Sequence, residues 1–170
     1  MKINFCGYAL TGVATALPLL FTQSALGAAC NLSIGNLNFG AYVGTQTSSN
    51  SPAQFTCTNV TPALLPEKVD YDIRLSTGAG TYAQRRMNRA SLPADTLFYN
   101  LYFNFLPGVL NTNVWGDGSG GTVTWTGRMN LSTGQPSRTD TATLVGAVPA
   151  GVVPSAGAYQ DTVVATVLIL

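Results

Sequence analysis

The sequence predicts an all-β fold, an antiparallel β-sandwich, and three observations favour it. Segments with strand-like alternation recur along the chain, and the clearest is VDYDIRL at residues 69–75, in which every second side chain is apolar. Turn-forming clusters separate these segments: GTQTSSNSP at 44–52, STGAG at 76–80, GDGSGG at 116–121 and STGQPS at 132–137. No stretch keeps the apolar spacing of an amphipathic helix beyond a turn or two.

Residues 1–27 are predicted to be a secretory signal peptide, which leaves residues 28–170 as one β-sandwich domain. Lys2 precedes an apolar run over residues 8–21, and small residues follow at 25–28. A membrane anchor is disfavoured because polar residues and a proline interrupt the run and no basic cluster follows it. A mature chain of about 140 residues is long enough to bury its own core.

The predicted strand regions of the mature chain follow in order. They are residues 32–39, 54–59, 69–75, 97–105, 121–126, 142–148 and 159–170. A break is expected at Gly35, inside the first region.

Two cysteines remain after the signal peptide takes Cys6 away. The remaining cysteines, Cys30 and Cys57, are even in number, and an exported chain meets an oxidising compartment, so we predict one disulfide between them. Closing that loop should stabilise the fold by roughly 3–4 kcal/mol. A metal or redox pair is disfavoured because the chain has no His and the spacing is far from C-x-x-C. The bridge would make the first two strands antiparallel neighbours.

The charge balance and the titratable residues exclude several functions. The chain has eight basic and seven acidic residues, and loss of Lys2 balances the two, so nothing favours nucleic acid or an anionic membrane. No His can serve as a general base, Glu67 is the only Glu, and no G-x-S-x-G elbow occurs. Asp117 is the only carboxylate of GDGSGG, too few for a Ca²⁺ loop. We therefore predict no enzyme, no catalytic residue, no metal and no cofactor.

The last predicted strand is apolar on both faces. One face carries Val163, Ala165, Val167 and Ile169, and the other carries Val164, Leu168 and Leu170. Such a strand belongs inside a sheet, because a free edge would expose unpaired N–H and C=O groups. Nothing follows it in these 170 residues, so we predict that these seven residues border an acceptor groove that another molecule fills by β-strand addition.

Short motifs occur in a fixed order over nearly the whole mature chain. They are Cys30 opening the first strand, LNFGAY at 37–42, Cys57, YDI at 71–73, RM at 86–87, LFYNLY at 97–102, WGDG at 115–118, VPAG at 148–151 and GAYQDTV at 157–163. Together they resemble the spore coat protein U domain family, which includes subunits of archaic chaperone–usher pili.

The resemblance implies an incomplete immunoglobulin-like antiparallel β-sandwich that lacks its final strand. It implies an exported structural and adhesive subunit, assembled by donor-strand complementation in the periplasm and carried to the cell surface. The implied partners are a periplasmic chaperone, an outer-membrane usher and neighbouring pilus subunits, with no small-molecule cofactor.

One departure from the family pattern bears on the position in a fibre. Stalk subunits carry a donor extension before the first Cys, whereas only Ala28 and Ala29 precede Cys30 after the predicted cleavage. We therefore expect a tip subunit, which receives a strand and gives none. The alternatives are a secreted coat-type protein that self-associates outside a pilus and, more remotely, a ligand-binding or enzymatic β-sandwich.

Two further hypotheses concern individual side chains. Leu64, Leu65, Val109 and Leu110 lie in apolar loops and are candidate adhesive residues, unless those loops pack over the ends of the sandwich. Asp161 is a carboxylate in an apolar strand, so we expect Arg86 or Arg89 to pair with it.

Overall fold

The structure is a computed structural model that describes residues 2–6, 27–60, 66–103, 113–151 and 153–170, the first range by its backbone. Within these ranges every regular element is a β-strand. The described residues form no helix that is long and apolar enough to span a membrane.

Ten strands follow one another along the chain. They are β1 Lys2–Cys6, β2 Ala28–Ile34, β3 Leu37–Asn38, β4 Thr47–Asn59, β5 Glu67–Leu75, β6 Arg85–Arg89, β7 Leu92–Phe103, β8 Trp125–Leu131, β9 Ser137–Val148 and β10 Tyr159–Ile169.

The strands form one open sheet that folds over itself as an immunoglobulin-like β-sandwich. Its order is β2-β4-β9-β7-β6-β10-β1-β3, and β5 joins β10 to β8. Among the described strands every pair is antiparallel except β1 with β10. The predicted all-β, antiparallel sandwich is confirmed.

Aromatic side chains join the two layers through the core. Phe55 on β4 and Tyr71 on β5 have ring centroids 4.6 Å apart although their strands do not pair. Tyr71 also packs edge-on against Trp125 at 5.8 Å. Trp115 and Phe103 extend the cluster, with their centroids 5.2 Å apart. Large apolar rings from both layers are therefore removed from water together, which is the main stabilising term of such a fold.

Cys30 and Cys57 form a disulfide between β2 and β4. The two residues lie directly opposite each other in that antiparallel pair. The predicted bridge and the predicted neighbourhood of the first two strands are both confirmed. The expected break at Gly35 is also present, because residues 35–36 separate β2 from β3.

Two local predictions were wrong, and one strand was not predicted. The cluster at 44–52 is a turn only at its start, because Thr47–Pro52 pair with Val148–Thr143 and extend β4. In the region at 121–126 only Trp125 and Thr126 belong to a strand, because Gly121 has a positive φ angle, Val123 forms an isolated bridge with Trp115, and β8 begins at Trp125. β6 was not predicted, because its sequence RRMNR looks like an exposed segment.

Candidate functional site

The outer edge of β10 carries β1. β1 runs parallel to β10, from Lys2 opposite Gln160 to Cys6 opposite Val164. On its other side β1 pairs antiparallel with both residues of β3. We call the space between β10 and β3, which β1 fills, the slot. The slot accepts a five-residue strand that lies inside the predicted signal peptide.

β10 changes its partner halfway along its length. Tyr159 and Gln160 pair with β6, whereas residues 165–169 pair with β5. Ser76 marks the change, because its N–H donates to the Val164 carbonyl and its hydroxyl accepts from the Val164 N–H, both at 2.9 Å. β1 ends at Cys6, so in the described part of the chain the outer edge of residues 165–169 has no partner strand.

The seven predicted groove residues lie between the middle of β10 and Leu170, which directly follows it. Val163 and Val164 pair with β1, and the others lie beyond its end. Val163 is fully buried, and the core-facing side chains after it are only partly buried: Ala165, Val167 and Ile169. The opposite face is less covered, since Val164 and Leu168 are half-buried and Leu170 is 76% exposed. Of the seven side chains, only that of Val163 is fully buried.

A second row of incompletely covered apolar side chains lies on β2. Ala28, Leu32 and Ile34 pack against the same core, yet no residue of β2 is buried. β8 also pairs with a single described strand, but its apolar side chains are buried: Trp125, Met129 and Leu131. β2 leads into β3, one wall of the slot, and residues 165–169 extend β10, the other wall. Both uncovered rows therefore border the continuation of the slot beyond Cys6.

Asp161 supplies a buried carboxylate on the β10 wall. Its Oδ2 accepts a 2.6 Å hydrogen bond from the Tyr99 hydroxyl. Its Oδ1 accepts from the N–H groups of Ala79 and Thr162 at 3.1 and 2.8 Å. Burial and this carboxylate raise the pKa of Tyr99, so the phenol stays a proton donor at physiological pH. These hydrogen bonds tie the turn after β5 to β10.

The predicted ion pair of Asp161 is wrong. Arg86 donates instead to the Ala79 carbonyl at 2.7 and 3.1 Å, and Arg89 lies 3.8 Å from the carboxylate of Asp95. Hydroxyl and amide donors satisfy Asp161 because Gly78, at φ +63°, lets the turn approach it; any Cβ there would overlap the carboxylate. A local sequence pattern holds no signal for such a long-range contact.

Two other predictions concerned adhesive residues and metal ligands. The candidate adhesive residues Leu64, Leu65, Val109 and Leu110 lie outside the described residues. Within the described ranges, no group of three or more His, Cys, Asp or Glu side chains could hold a metal ion.

Comparisons with known proteins add a family and a similar structure. A family model of the Spore Coat Protein U domain matches residues 16–166. No curated protein sequence matches this chain. Among solved structures, a chain of a chaperone–tip adhesin complex described as vital for synergistic activation of CFA/I fimbriae biogenesis is similar, with 14% identity and a TM-score of 0.47. The similarity covers 82% of this chain and 42% of that one, so this chain spans less than half of its length.

Proposed function

The chain belongs to the spore coat protein U domain family, and we propose that it is a structural and adhesive subunit of an archaic chaperone–usher type pilus, assembled by donor-strand complementation. It is exported through the periplasm to the cell surface. Its partners are a periplasmic chaperone, an outer-membrane usher and neighbouring pilus subunits, and it is not an enzyme.

One observation carries this proposal: a strand from elsewhere in sequence sits between β10 and β3. That strand belongs to the predicted signal peptide, so cleavage before Ala28 removes it from the slot. The mature chain then exposes the ladder groups of β10 together with the apolar rows of β2 and β10. Exposed edges of this kind pair with other chains, which is the physical basis of β-strand addition.

The pairing of β2 supports a tip position. Ala28 and Ala29 precede Cys30 and pair with Asn59 and Thr58 of β4. Residues held in the subunit's own sheet are not free to complete a neighbour. On the predicted cleavage the mature chain receives a strand and gives none, as a tip subunit does.

The proposal is tested by expressing the mature chain in an oxidising periplasm, without and with a candidate chaperone from the same source. Size exclusion and circular dichroism then report soluble, folded protein. We expect soluble protein only as a one-to-one complex with the chaperone, because the mature chain lacks a strand. A stable folded monomer without the chaperone would overturn donor-strand assembly, and fibres formed without chaperone or usher would favour a self-associating coat protein.

A separate measurement tests the tip position. An epitope tag in the exposed turn at residues 133–134 should label assembled fibres at one end only. Label along the fibre would assign the chain to the stalk and contradict the tip assignment, while leaving donor-strand assembly in place.

A further inference from the structure

The outer face of β2, β4 and β9 carries a regular array of hydroxyl and amide side chains. It is made by the outward-facing positions of residues 31–33, 54–58 and 137–141, and we call it the hydroxyl face. These positions are exposed, apart from the half-buried Thr56. The strand register places them in rows across the sheet. Two complete rows are Asn31 with Thr56 and Thr139, and Ser33 with Gln54 and Thr141.

The side chains of the hydroxyl face are held in place by the sheet and by one another. Thr56 Oγ1 and Thr139 Oγ1 are hydrogen-bonded at 2.7 Å. Thr58 Oγ1 and Ser137 Oγ are hydrogen-bonded at 2.8 Å. The β-branched threonines have few χ1 rotamers, and a sheet repeats side chains at about 4.8 Å between strands and about 6.7 Å along a strand. Binding to this face therefore costs little side-chain entropy.

The hydroxyl face is uncharged. Within its three described ranges no outward-facing position carries an ionisable or an aromatic side chain. β9 has two charged residues in this stretch, and both turn to the opposite face: the buried Tyr71 hydroxyl donates to Asp140 at 2.9 Å, and Arg138 Nε lies 3.4 Å from the same carboxylate. The exposed surface of a soluble protein normally mixes Lys, Arg, Asp and Glu. This face is therefore unusual for a surface that meets only water.

The chemistry of the hydroxyl face selects the class of partner. Nucleic acids and anionic lipids need basic residues, which the face lacks. Protein interfaces concentrate their binding energy in aromatic residues and Arg, and Ser and Thr supply few of their hot spots. Hydroxyl and amide groups both donate and accept, so they match a neutral ligand that carries hydroxyls of its own. Each such bond contributes little net free energy in water, so the ligand must offer many of them side by side, as a polysaccharide does.

We propose that the hydroxyl face is an adhesive surface for neutral polysaccharides, which it binds through hydrogen bonds from its rows of Ser, Thr, Asn and Gln side chains to hydroxyl groups of the polymer. This inference rests on the adhesive part of the proposed function, and it does not depend on donor-strand assembly. The face lies on the sheet of β2, β4 and β9, whereas the slot lies between β10 and β3. A strand seated in the slot therefore leaves the hydroxyl face open.

The test is co-sedimentation of the mature chain with three insoluble neutral polysaccharides: microcrystalline cellulose, the β-1,3-glucan curdlan and starch granules. The chain is used as its one-to-one complex with the candidate chaperone, with the chaperone alone as blank, or as the monomer if that is the stable form. We expect binding to at least one of the three. Because neither partner is charged at this face, binding should not change between about 0.05 and 0.5 M salt.

A matched pair of double variants assigns the binding to the face. Thr56→Val/Thr139→Val removes two hydroxyls and keeps the shape of both side chains, so it should weaken binding at least about tenfold. Thr96→Val/Thr126→Val, on β7 and β8, has the same combination of one half-buried and one exposed threonine and should bind like the wild type. Circular dichroism checks that each variant is folded.

Several outcomes would overturn the adhesive role of the hydroxyl face. These are a wild type that sediments with none of the three polysaccharides, equal binding by the wild type and the hydroxyl-face variant, and equal weakening in both double variants. Binding that disappears at high salt would assign a charged surface instead of this one. None of these results bears on donor-strand assembly, which formation of the chaperone complex tests separately. A chain that forms no such complex rejects that assembly and is still assayed here as a monomer.

Discussion

The Arg85 guanidinium donates a 2.7 Å hydrogen bond to the carbonyl oxygen of Trp115, in the interior of the sandwich. The same side chain donates to the Ser76 carbonyl and, at 2.6 Å, to Asn100 Oδ1. Arg85 is fully buried, and none of the ion pairs among the described residues includes it. Burial lowers the pKa of Arg85 from its ordinary value. The guanidinium is therefore held by dipoles, and it joins the turn after β5, the segment at Trp115 and β7.

Replacing Arg85 should destabilise the fold strongly. Arg85→Met keeps the volume of the side chain but leaves the carbonyls of Ser76 and Trp115 buried without their donor. We expect a loss of about 2–4 kcal/mol in the free energy of unfolding. Chemical denaturation of the wild type and of the variant, each purified as its one-to-one complex with the chaperone, measures this loss. Arg86→Met is the matched control, because Arg86 is exposed, and its cost should be about 1 kcal/mol or less. Equal effects at the two positions would contradict this role of Arg85.

Gly127 should not tolerate even a methyl group. It lies opposite Tyr71 in the pair of β5 with β8, and a Cβ there would overlap the Tyr71 phenol. Tyr71 is buried and packed between Phe55 and Trp125, so it has little room to move. Gly127→Ala should therefore cost about 1–3 kcal/mol of unfolding free energy. Gly134→Ala, which meets nothing within 4 Å, serves as control in the same denaturation experiment. A Gly127 variant as stable as the Gly134 variant would show that the pocket around Tyr71 can open.

Stability should fall at alkaline pH because of two buried phenols. Burial and a hydrogen bond to a carboxylate, Asp140 and Asp161 respectively, raise the pKa of Tyr71 and of Tyr99 above the ordinary value of 10.0. The unfolded chain then releases these protons at a lower pH than the folded chain does. The stabilisation is complete below about pH 10 and is lost as the pH rises towards the folded-state pKa values, by up to about 1.4 kcal/mol per pH unit for each phenol.

Denaturation curves between pH 8 and pH 11 check this slope. The double variant Tyr71→Phe/Tyr99→Phe should be less stable at pH 8, because it loses two hydrogen bonds, but its stability should fall less steeply above pH 10. Tyr42→Phe leaves both buried phenols in place and should keep the wild-type slope. If the wild type and the double variant decline in parallel, the alkaline loss has another origin.

Removing the disulfide should lower the free energy of unfolding by about 3–4 kcal/mol. This value follows from the length of the loop that the bridge closes, since the two cysteines are 27 positions apart. The double variant Cys30→Ser/Cys57→Ser tests this, with thermal and chemical unfolding as the readout. A reductant should lower the stability of the wild type towards that of the variant and leave the variant unchanged. A variant that also responds to reductant would point to an effect outside this bridge.

The sequence predicted the parts of the fold that local patterns encode. Alternation identified β5, and the cysteine count identified the bridge that places β2 beside β4. β6 was not predicted because an arginine such as Arg85 is usually a surface residue. Only tertiary contacts supply the acceptors that allow its guanidinium to be buried. The first half of β4 was not predicted as a strand, because its pairing with β9 overrides the local turn preference of Ser, Asn and Pro.

In the candidate site, too, some features follow a local sequence pattern and others depend on tertiary contacts. The apolar pattern of residues 163–170 led to the prediction of an acceptor groove, which stays a prediction; in the structure β1 pairs with residues 160–164 of this strand. The partner of Asp161 and the second row of apolar side chains on β2 depend on how distant segments meet. The Gly78 turn and the Tyr99 phenol have no spacing that links them to Asp161 in sequence, so charge pairing with Arg86 or Arg89 was the natural but wrong expectation.

The direction of the strand in the slot has a mechanical consequence. β1 lies lengthwise beside β10, and the hydrogen bonds of a ladder bridge from strand to strand, at a slant in a parallel pair such as this one. Tension applied along a seated strand therefore loads all of its ladder bonds in shear, and they must break together instead of unzipping one after another. A fibre joined through such slots would resist pulling along its axis far better than peeling at one end of a strand.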